Sequence, residues 1–330
     1  MRAVVARFVQ IKELPVCVPL VGVYAYFSLN APGFQDLSGL IDFARQYSCQ
    51  ALLAVGLTMV IASGGIDISV GSIVGLSAVV LGVLLVRSDI SVFGACTIAF
   101  VTGAICGAFN GFAVAKLRLQ PVVVTLSMMA TARGLAYVIA GAGVSTISLP
   151  ARAQQLVNLA YESMAPILIA VGFAAAAWVM LTKGSFGRCV LAVGGNEQAS
   201  RLSGVDVQRV KIIVYVISGV LAGLGGIITA SMMSTATTDA GMGYEFEAIT
   251  AVLMGGTSIS GGEATVVGSV FGVLTAAMLN RGFGLMGISD LYRMMCLGIM
   301  LILAVLLDTI RKRFSRSSRF IEGKKVPYRV

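Results

Sequence analysis

Few residues in this sequence are able to carry chemistry, and their types exclude most enzymatic mechanisms. The chain has no histidine, the usual general base near neutral pH and the commonest metal ligand. It has no G-x-x-x-x-G-K-S/T motif to hold nucleotide phosphates. Six scattered cysteines form no C-x-x-C pair, so we interpret them as packing residues: Cys17, Cys49, Cys96, Cys106, Cys189 and Cys296. We expect no catalytic residue, no metal site and no bound cofactor.

Two glycine-rich segments place polar residues inside apolar sequence. Residues 59–75 and 252–268 share paired glycines followed by an Ile-Ser pair. Backbone that leaves a helix within a membrane must be buried in protein or line a wet cavity, and such segments mark the path in transporters. We therefore predict that they shape a translocation path, with these candidates: Gly64, Gly65, Asp67, Ser69, Gly255, Gly256, Thr257, Ser258 and Ser260. The alternative is two tight turns in which Asp67 or Ser69 caps the next helix.

Composition indicates the elements that must position these residues. Apolar residues make up 57% of the 330 residues and charged residues only 12%, against about 25% charged in soluble domains. Long apolar stretches such as 90–115 and 122–140 indicate helices of about 20 residues that cross a bilayer. We predict an all-α membrane protein, a polytopic bundle of about ten transmembrane helices with two Gly-broken segments. The predicted spans are 14–29, 48–63, 68–86, 90–115, 122–140, 164–181, 212–230, 248–262, 266–279 and 294–307.

Glycines and one arginine fall within the predicted spans. Glycines recur at four-residue spacing, as at Gly103, Gly107 and Gly111, and such faces allow helices to approach closely in lipid. Arg133 lies inside a predicted span, where a charge is costly. We expect it to form a structural ion pair, with contact to a polar solute as the alternative.

Charge distribution predicts the orientation. Lys and Arg are concentrated in residues 116–118, in the connection 183–211 and in the tail after Asp308, and such segments face the cytoplasm. We expect a cytoplasmic segment 1–13, a transmembrane domain 14–310 and a basic cytoplasmic tail 311–330. The N-terminal run contains Pro15 and Pro19 without a clear cleavage site, which favours an uncleaved span over a signal peptide. The net charge of +9 then reflects topology and lipid headgroups rather than nucleic acid.

The connection 183–211 contains a short polar segment that is compatible with a helix. Asn196 is placed to cap it and Gly204 to end it. A short helix held between two spans is suited to docking into a groove of another protein. A plain cytoplasmic linker is the alternative.

Three stretches together resemble a known family. IASGGIDISVGS (61–72), AVGGNEQASRLSGVDVQRVK (192–211) and AITAVLMGGTSISGGEATVVGS (248–269) closely resemble the ribose-type sugar permeases of bacterial ABC importers, within the branched-chain-permease family. The resemblance implies the inner-membrane subunit of an importer, paired with a second permease subunit. It also implies a periplasmic sugar-binding protein and cytosolic ATPase subunits that use ATP and Mg. The implied coupling residues are Gly194, Gly195, Asn196, Glu197, Ala199, Arg201, Leu202 and Gly204.

Two other classes of function remain as alternatives. A secondary transporter driven by an ion gradient needs an intramembrane ion site, for which Asp67 and Glu245 are the best candidates. A membrane enzyme lacks residues to carry its chemistry, and a scaffold does not require Gly-broken segments. The sequence does not identify the sugar.

Overall fold

The computed structural model describes residues 14–289 continuously, and then residues 291–292, 295–296, 298–306 and 309. Thirteen α-helices lie within residues 14–289. The first seven are α1 (Leu14–Asn30), α2 (Leu37–Gln46), α3 (Ser48–Ala62), α4 (Val70–Arg87), α5 (Val92–Ala115), α6 (Pro121–Ala140) and α7 (Gln154–Tyr161). The others are α8 (Ala165–Thr182), α9 (Ser185–Gly195), α10 (Glu197–Leu202), α11 (Val207–Met233), α12 (Tyr244–Met254) and α13 (Val266–Leu285).

The helical fold agrees with the sequence prediction, but the predicted count of about ten transmembrane helices is not confirmed. Six helices among the described residues are long and apolar enough to cross a membrane, namely α4, α5, α6, α8, α11 and α13. The apolar helices α1 and α3 are shorter. The predicted tenth span, 294–307, lies partly outside the described residues. The predicted terminal segments 1–13 and 311–330 lie wholly outside the described residues.

The prediction of an eighth span at 248–262 was wrong in its bounds. Helix α12 begins at Tyr244 and ends at Met254, so its 11 residues extend only about 16 Å. The backbone then turns with positive φ at Gly256, Gly261 and Gly262. Because these conformations suit glycine and do not continue a right-handed helix, the span stops where the glycines begin.

A small antiparallel sheet precedes α12 and was not anticipated. Strand β1 (Thr146–Ser148) pairs with β2 (Thr235–Thr237), with Ile147 opposite Ala236. The side chain of Ile147 is buried against α4, where Gly82 leaves room for it and for Ala236. The sheet thus holds the chain between α11 and α12 against the bundle.

Burial separates central helices from peripheral ones. In the apolar 18-residue stretches of α4 and α11, 72% and 67% of the residues are buried, whereas in α8 only 22% are. Helix α3 is buried almost throughout. Helices α5, α6 and α8 expose large apolar side chains such as Phe109, Val138 and Leu168, as expected of surfaces in contact with lipid or another chain.

A glycine face joins α5 to the central helix α11. Gly103 and Gly107 lie directly against Gly219 and Gly223, and a methyl group on Gly107 would overlap the carbonyl oxygen of Tyr215. The predicted close approach of helices through four-residue glycine spacing is therefore present at this crossing. In lipid, such packing replaces the hydrophobic driving force that brings helices together in water.

Substituting one of these glycines tests the crossing. We expect Gly107→Ala to lower the free energy of unfolding by about 1–3 kcal/mol, because the added methyl group overpacks two helix backbones. The matched control is Gly134→Ala in α6, where nothing lies within 4 Å of an added Cβ. Thermal unfolding midpoints of the purified chain in one detergent compare the two. Equal midpoints for both variants would contradict this account of the α5–α11 contact.

Candidate functional site

The three segments singled out in the sequence meet at one end of the bundle. Gly262 N–H donates a hydrogen bond to the Ala62 carbonyl oxygen over 2.9 Å, which joins the two glycine-rich segments. Gly194, near the end of α9, lies against both of them. We call this meeting of residues 62–64, 194–195 and 261–262 the Gly194 contact, and the end of the bundle where it lies the Gly194 end.

The Gly194 contact is made by backbone atoms and leaves no space for a side chain. A Cβ on Gly194 would overlap the Ala62 carbonyl oxygen and lie 2.6 Å from the Gly262 nitrogen. Gly64 and Gly261 adopt φ values of 84° and 77°, the left-handed region that favours glycine. The paired glycines thus permit both the turns and the close approach.

Helix α10 lies beside this contact and is fixed to the start of α11. As predicted, Asn196 caps α10, since its Oδ1 accepts the Ala199 N–H over 2.9 Å, and Gly204 follows the helix with φ of 85°. The Glu197 carboxylate accepts hydrogen bonds from Lys211 Nζ at 2.6 Å and from Arg201 at 3.1 Å. The hydrogen bond from Lys211, together with both nearby positive charges, lowers the pKa of the Glu197 carboxyl below its usual 4.5.

The outer surface of α10 presents an apolar side chain to its surroundings. Leu202 at the end of the helix is 91% exposed, although the ion pairs of Glu197 hold the helix in place. The prediction that 183–211 is a polar loop was incomplete, because α9 occupies 185–195 and buries Val190 and Val193. Asp206 caps α11 through the Arg209 N–H, so that helix begins at Val207 rather than at residue 212.

The first glycine-rich segment returns into the bundle as non-helical chain. Its backbone oxygen at Ile66 accepts hydrogen bonds from Tyr215 in α11 and Thr125 in α6. Asp67 is fully buried and accepts from the Ser69 N–H at 3.0 Å and from the Ser218 hydroxyl at 3.0 Å. Because lipid offers no hydrogen bonds, these partners are what allow non-helical backbone at this depth.

Neither predicted cap forms in the usual way. Ser69 occupies the N-cap position of α4 but makes no side-chain cap hydrogen bond, and Asp67 binds Ser69 rather than the first turn of the helix. Ser69 instead accepts a hydrogen bond from Asn110 over 2.9 Å. Asn110, Tyr215 and Ser218 were not recognised as partners in the sequence, because each is an isolated polar residue within an apolar span.

The second glycine-rich segment is held by bonds within itself and to α3. Thr257 and Ser258 are buried, and the Ser258 N–H donates to the Glu263 carbonyl oxygen. Ser260 is exposed at the Gly194 end. The Thr58 hydroxyl of α3 donates to Ser269 of α13 over 2.8 Å. Gly255 lies against Gly268, which brings α12 and α13 together at their ends.

Arg133 does not form the expected ion pair among the described residues. Its guanidinium donates to the carbonyl oxygens of Thr238 and Ala240, at 2.6 and 2.9 Å, and so holds the chain that leads into α12. Arg133 contacts α4 at Gly75, and the side chain of Glu245 in α12 contacts α4 one turn earlier, at Gly71. Glu245 is buried, at 6% exposure. The costly charge is therefore placed where backbone carbonyls solvate it.

A bundle with six apolar helices long enough to cross a membrane, interrupted by two buried glycine-rich segments, fits a membrane transport protein. The chain belongs to the family described as the branched-chain amino acid transport system / permease component, whose model matches residues 39–305. The family resemblance noted in the sequence is thereby confirmed. Members of this family are transport components rather than enzymes.

Three relatives are named as sugar permeases. The chain is 38% identical to the ribose import permease protein RbsC of Escherichia coli K12 over 295 residues, covering 88% of this chain and 92% of the relative. It is 32% identical to the galactose/methyl galactoside import permease MglC of the same organism, with 91% and 95% covered. It is 33% identical to the L-arabinose ABC transporter permease AraH of Azospirillum brasilense, with 90% and 87% covered. No solved structure matches the chain.

Two neighbouring glycines provide a matched test of the Gly194 contact. We expect Gly194→Ala to separate the two glycine-rich segments and to lower the unfolding midpoint, since its methyl group meets backbone that has little room to shift. Gly195→Ala should leave the free energy of unfolding within about 0.5 kcal/mol of wild type, because its Cβ meets nothing closer than 3.9 Å. Hydrogen exchange of residues 61–66 measures the local effect. Equal exchange in both variants would show that the contact is not formed.

The Glu197 ion pairs predict a pH dependence. Since the folded pKa of Glu197 lies below 4.5, its stabilising contribution is complete above that value and is lost as pH falls through the lowered pKa. The difference in unfolding midpoint between wild type and Glu197→Gln should therefore shrink from about pH 7 to about pH 3. Glu162→Gln, at an exposed carboxyl without a salt bridge among the described residues, is the control and should show no such trend.

Proposed function

We propose that this chain is the membrane-spanning permease subunit of a bacterial ATP-driven importer for a monosaccharide or a related small polyhydroxy solute. It moves the solute from a periplasmic binding protein to the cytoplasm by alternating access. The observation that carries the proposal is the Gly194 contact, which joins a docking-type helix to both glycine-rich segments. The names of the ribose, galactose and arabinose relatives support the class of solute.

The orientation follows from charge. The Gly194 end carries the basic residues of 183–211, so it faces the cytoplasm by the positive-inside rule. With both termini on that side of the bacterial inner membrane, the opposite end of the bundle faces the periplasm. A second permease subunit, of the same or a similar chain, completes the pore.

Helix α10 is the proposed contact with a cytosolic ATPase subunit, which binds and hydrolyses ATP with Mg. Leu202 enters a groove of that subunit, while the ion pair of Glu197 with Lys211 holds the helix to α11. Gly194, Gly195, Asn196, Ala199 and Gly204 shape the segment. A movement of this helix shifts the Gly194 contact, and with it the ends of α3 and α12.

The two glycine-rich segments are proposed to form the cytoplasmic part of the path. Ser260 and Gly64 are exposed there, whereas Asp67, Ser69, Thr257 and Ser258 are buried and bonded to protein. In the state described by the structure, the hydrogen bond between Gly262 and Ala62 holds the segments together. Opening of the path toward the cytoplasm requires that this bond and the packing around Gly194 change.

Substitution of Leu202 tests the coupling role. We expect Leu202→Ser to leave the unfolding midpoint unchanged, because the side chain is exposed, but to lower ATP-dependent uptake about tenfold or more. That size reflects the roughly 1.5–3 kcal/mol gained when a Leu side chain is buried. Uptake and ATP hydrolysis are measured in proteoliposomes with the ATPase subunit and the binding protein. Leu29→Ser, at an equally exposed leucine (86%) near the opposite end, is the control.

Two results would contradict the proposal. Normal coupled uptake by Leu202→Ser would remove α10 from the coupling role. Sugar transport by the purified chain alone, driven by an imposed proton or sodium gradient, would instead establish the secondary-transporter alternative.

A further inference from the structure

A half-enclosed cavity of about 310 Å³ lies at the opposite end of the bundle from Gly194. Five helices line it: α2, α3, α7, α11 and α12. Its volume is at the lower end of the roughly 300–1,000 Å³ of small-molecule sites, so it suits a small ligand. None of the residues predicted from the sequence to contact solute lies in it.

The lining combines aromatic rings with groups that bind hydroxyls. Asp42, whose side chain is 68% exposed, forms an ion pair with Arg45 at 2.6 Å, and Arg45 also donates to the Glu162 carbonyl oxygen at 3.3 Å. Gln46 lies one residue further along α2 at the exposed surface, and Tyr161 at the end of α7 is 62% exposed. A sugar ring has an apolar C–H face that packs on an aromatic ring and a rim of hydroxyls that act as donors and acceptors. Carboxylate, guanidinium and amide groups are matched to that rim.

Phe43 forms a fixed part of the wall. Its ring stacks on Tyr47 with centroids 5.4 Å apart, and the Arg281 guanidinium lies 5.8 Å from its centroid. Arg281 is itself held by the carbonyl oxygen of Gly33 at 3.0 Å. A wall that is already packed loses little entropy when a ligand binds, which favours a preformed site.

Three helices connect this cavity to the Gly194 end. Helix α3 contributes Cys49 near its start and ends at Ala62 in the Gly194 contact. Helix α12 contributes its first residue, Tyr244, and leads into the second glycine-rich segment. Helix α11 contributes Thr229 near its end, while Lys211 near its start binds Glu197. Three continuous helices therefore run between the cavity and the Gly194 end.

We propose that this cavity is a transit site in which a single monosaccharide ring is held after its release from the binding protein. The inference rests on the proposed function, and it adds the residues that contact the solute on the periplasmic side. Tyr161 packs against the ring, and Asp42, Arg45 and Gln46 bind its hydroxyls. Because the cavity is open on one side and small, it holds the sugar weakly enough for onward movement.

The first experiment measures binding without any partner. Saturation-transfer NMR of the purified full chain in nanodiscs uses ribose, galactose and L-arabinose as probes. We expect at least one sugar to bind, and Tyr161→Ala and Gln46→Ala each to weaken it about two- to tenfold, the range expected for one lost contact. Both residues are exposed, so the variants should fold. Tyr26→Ala, at a tyrosine of similar exposure (54%) on α1, should bind as wild type.

The second experiment separates this inference from the proposed function. In proteoliposomes with the ATPase and binding protein, both cavity variants should lower sugar uptake two- to tenfold. Stimulation of ATP hydrolysis by the sugar-loaded binding protein should be retained.

Three outcomes would overturn the inference in distinguishable ways. If wild type takes up sugar with ATP and the cavity variants match it, the transit site is wrong and the proposed function stands. If the variants instead lose affinity for the binding protein, the surface is its docking face and not a sugar site. If wild type shows no ATP-dependent uptake of these sugars or of any other monosaccharide or polyol in a panel, the proposed function fails, and the inference that rests on it fails as well.

Discussion

The packing of Gly194 against two other backbones is the constraint on which the rest of the structure depends. Three segments far apart in the chain meet there without side chains between them, through the Ala62 carbonyl and the Gly262 N–H. A backbone contact of this kind is short and has few alternative arrangements, unlike a contact between long flexible side chains. The end of α9 and both glycine-rich segments are therefore held in fixed positions relative to one another.

Polar side chains inside the bundle hold the first glycine-rich segment in the position that the Gly194 contact requires. Residues 65–69 can run as non-helical chain inside the bundle only because α5, α6 and α11 supply polar partners, among them Asn110, Thr125 and Ser218. The buried carboxylate of Asp67 is accommodated by hydrogen bonds from Ser69 and Ser218. Charged side chains elsewhere follow the same rule, since Arg133 and Arg152 both bind backbone carbonyls.

Local features were predictable from the sequence, whereas features that depend on distant contacts were not. The cap at Asn196 and the end of α10 near Gly204 follow from neighbouring residues, so they were predicted correctly. The helix α2, which carries Asp42 and Arg45, lies between the predicted spans 14–29 and 48–63, and its ten residues are too few to cross a bilayer. The ion pair expected for Arg133 failed because the carbonyls of Thr238 and Ala240 are brought to it by a turn that sequence alone does not specify.

The contacts between segments that are distant in the chain were the features least predictable from the sequence. Gly64, Gly194 and Gly261 are conspicuous individually, but no local pattern states that they touch, and the cavity lined by Gln46 and Tyr161 depends on five separate helices. Glycine spacing did predict that helices approach closely along such faces, as α5 and α11 do, but it did not predict which helices pair.

The separation of the cavity from the Gly194 contact has a consequence for how such proteins diversify. Residues such as Gln46 and Tyr161 lie at the surface of one end, where substitution disturbs little packing. Gly194 and its partners, at the other end, tolerate no added atoms. Under the proposed roles, a change in a few surface side chains of the cavity alters the transported solute, while the contact with the ATPase subunit stays the same. Relatives that match most of this chain but have different sugars in their names are the expected product of that arrangement.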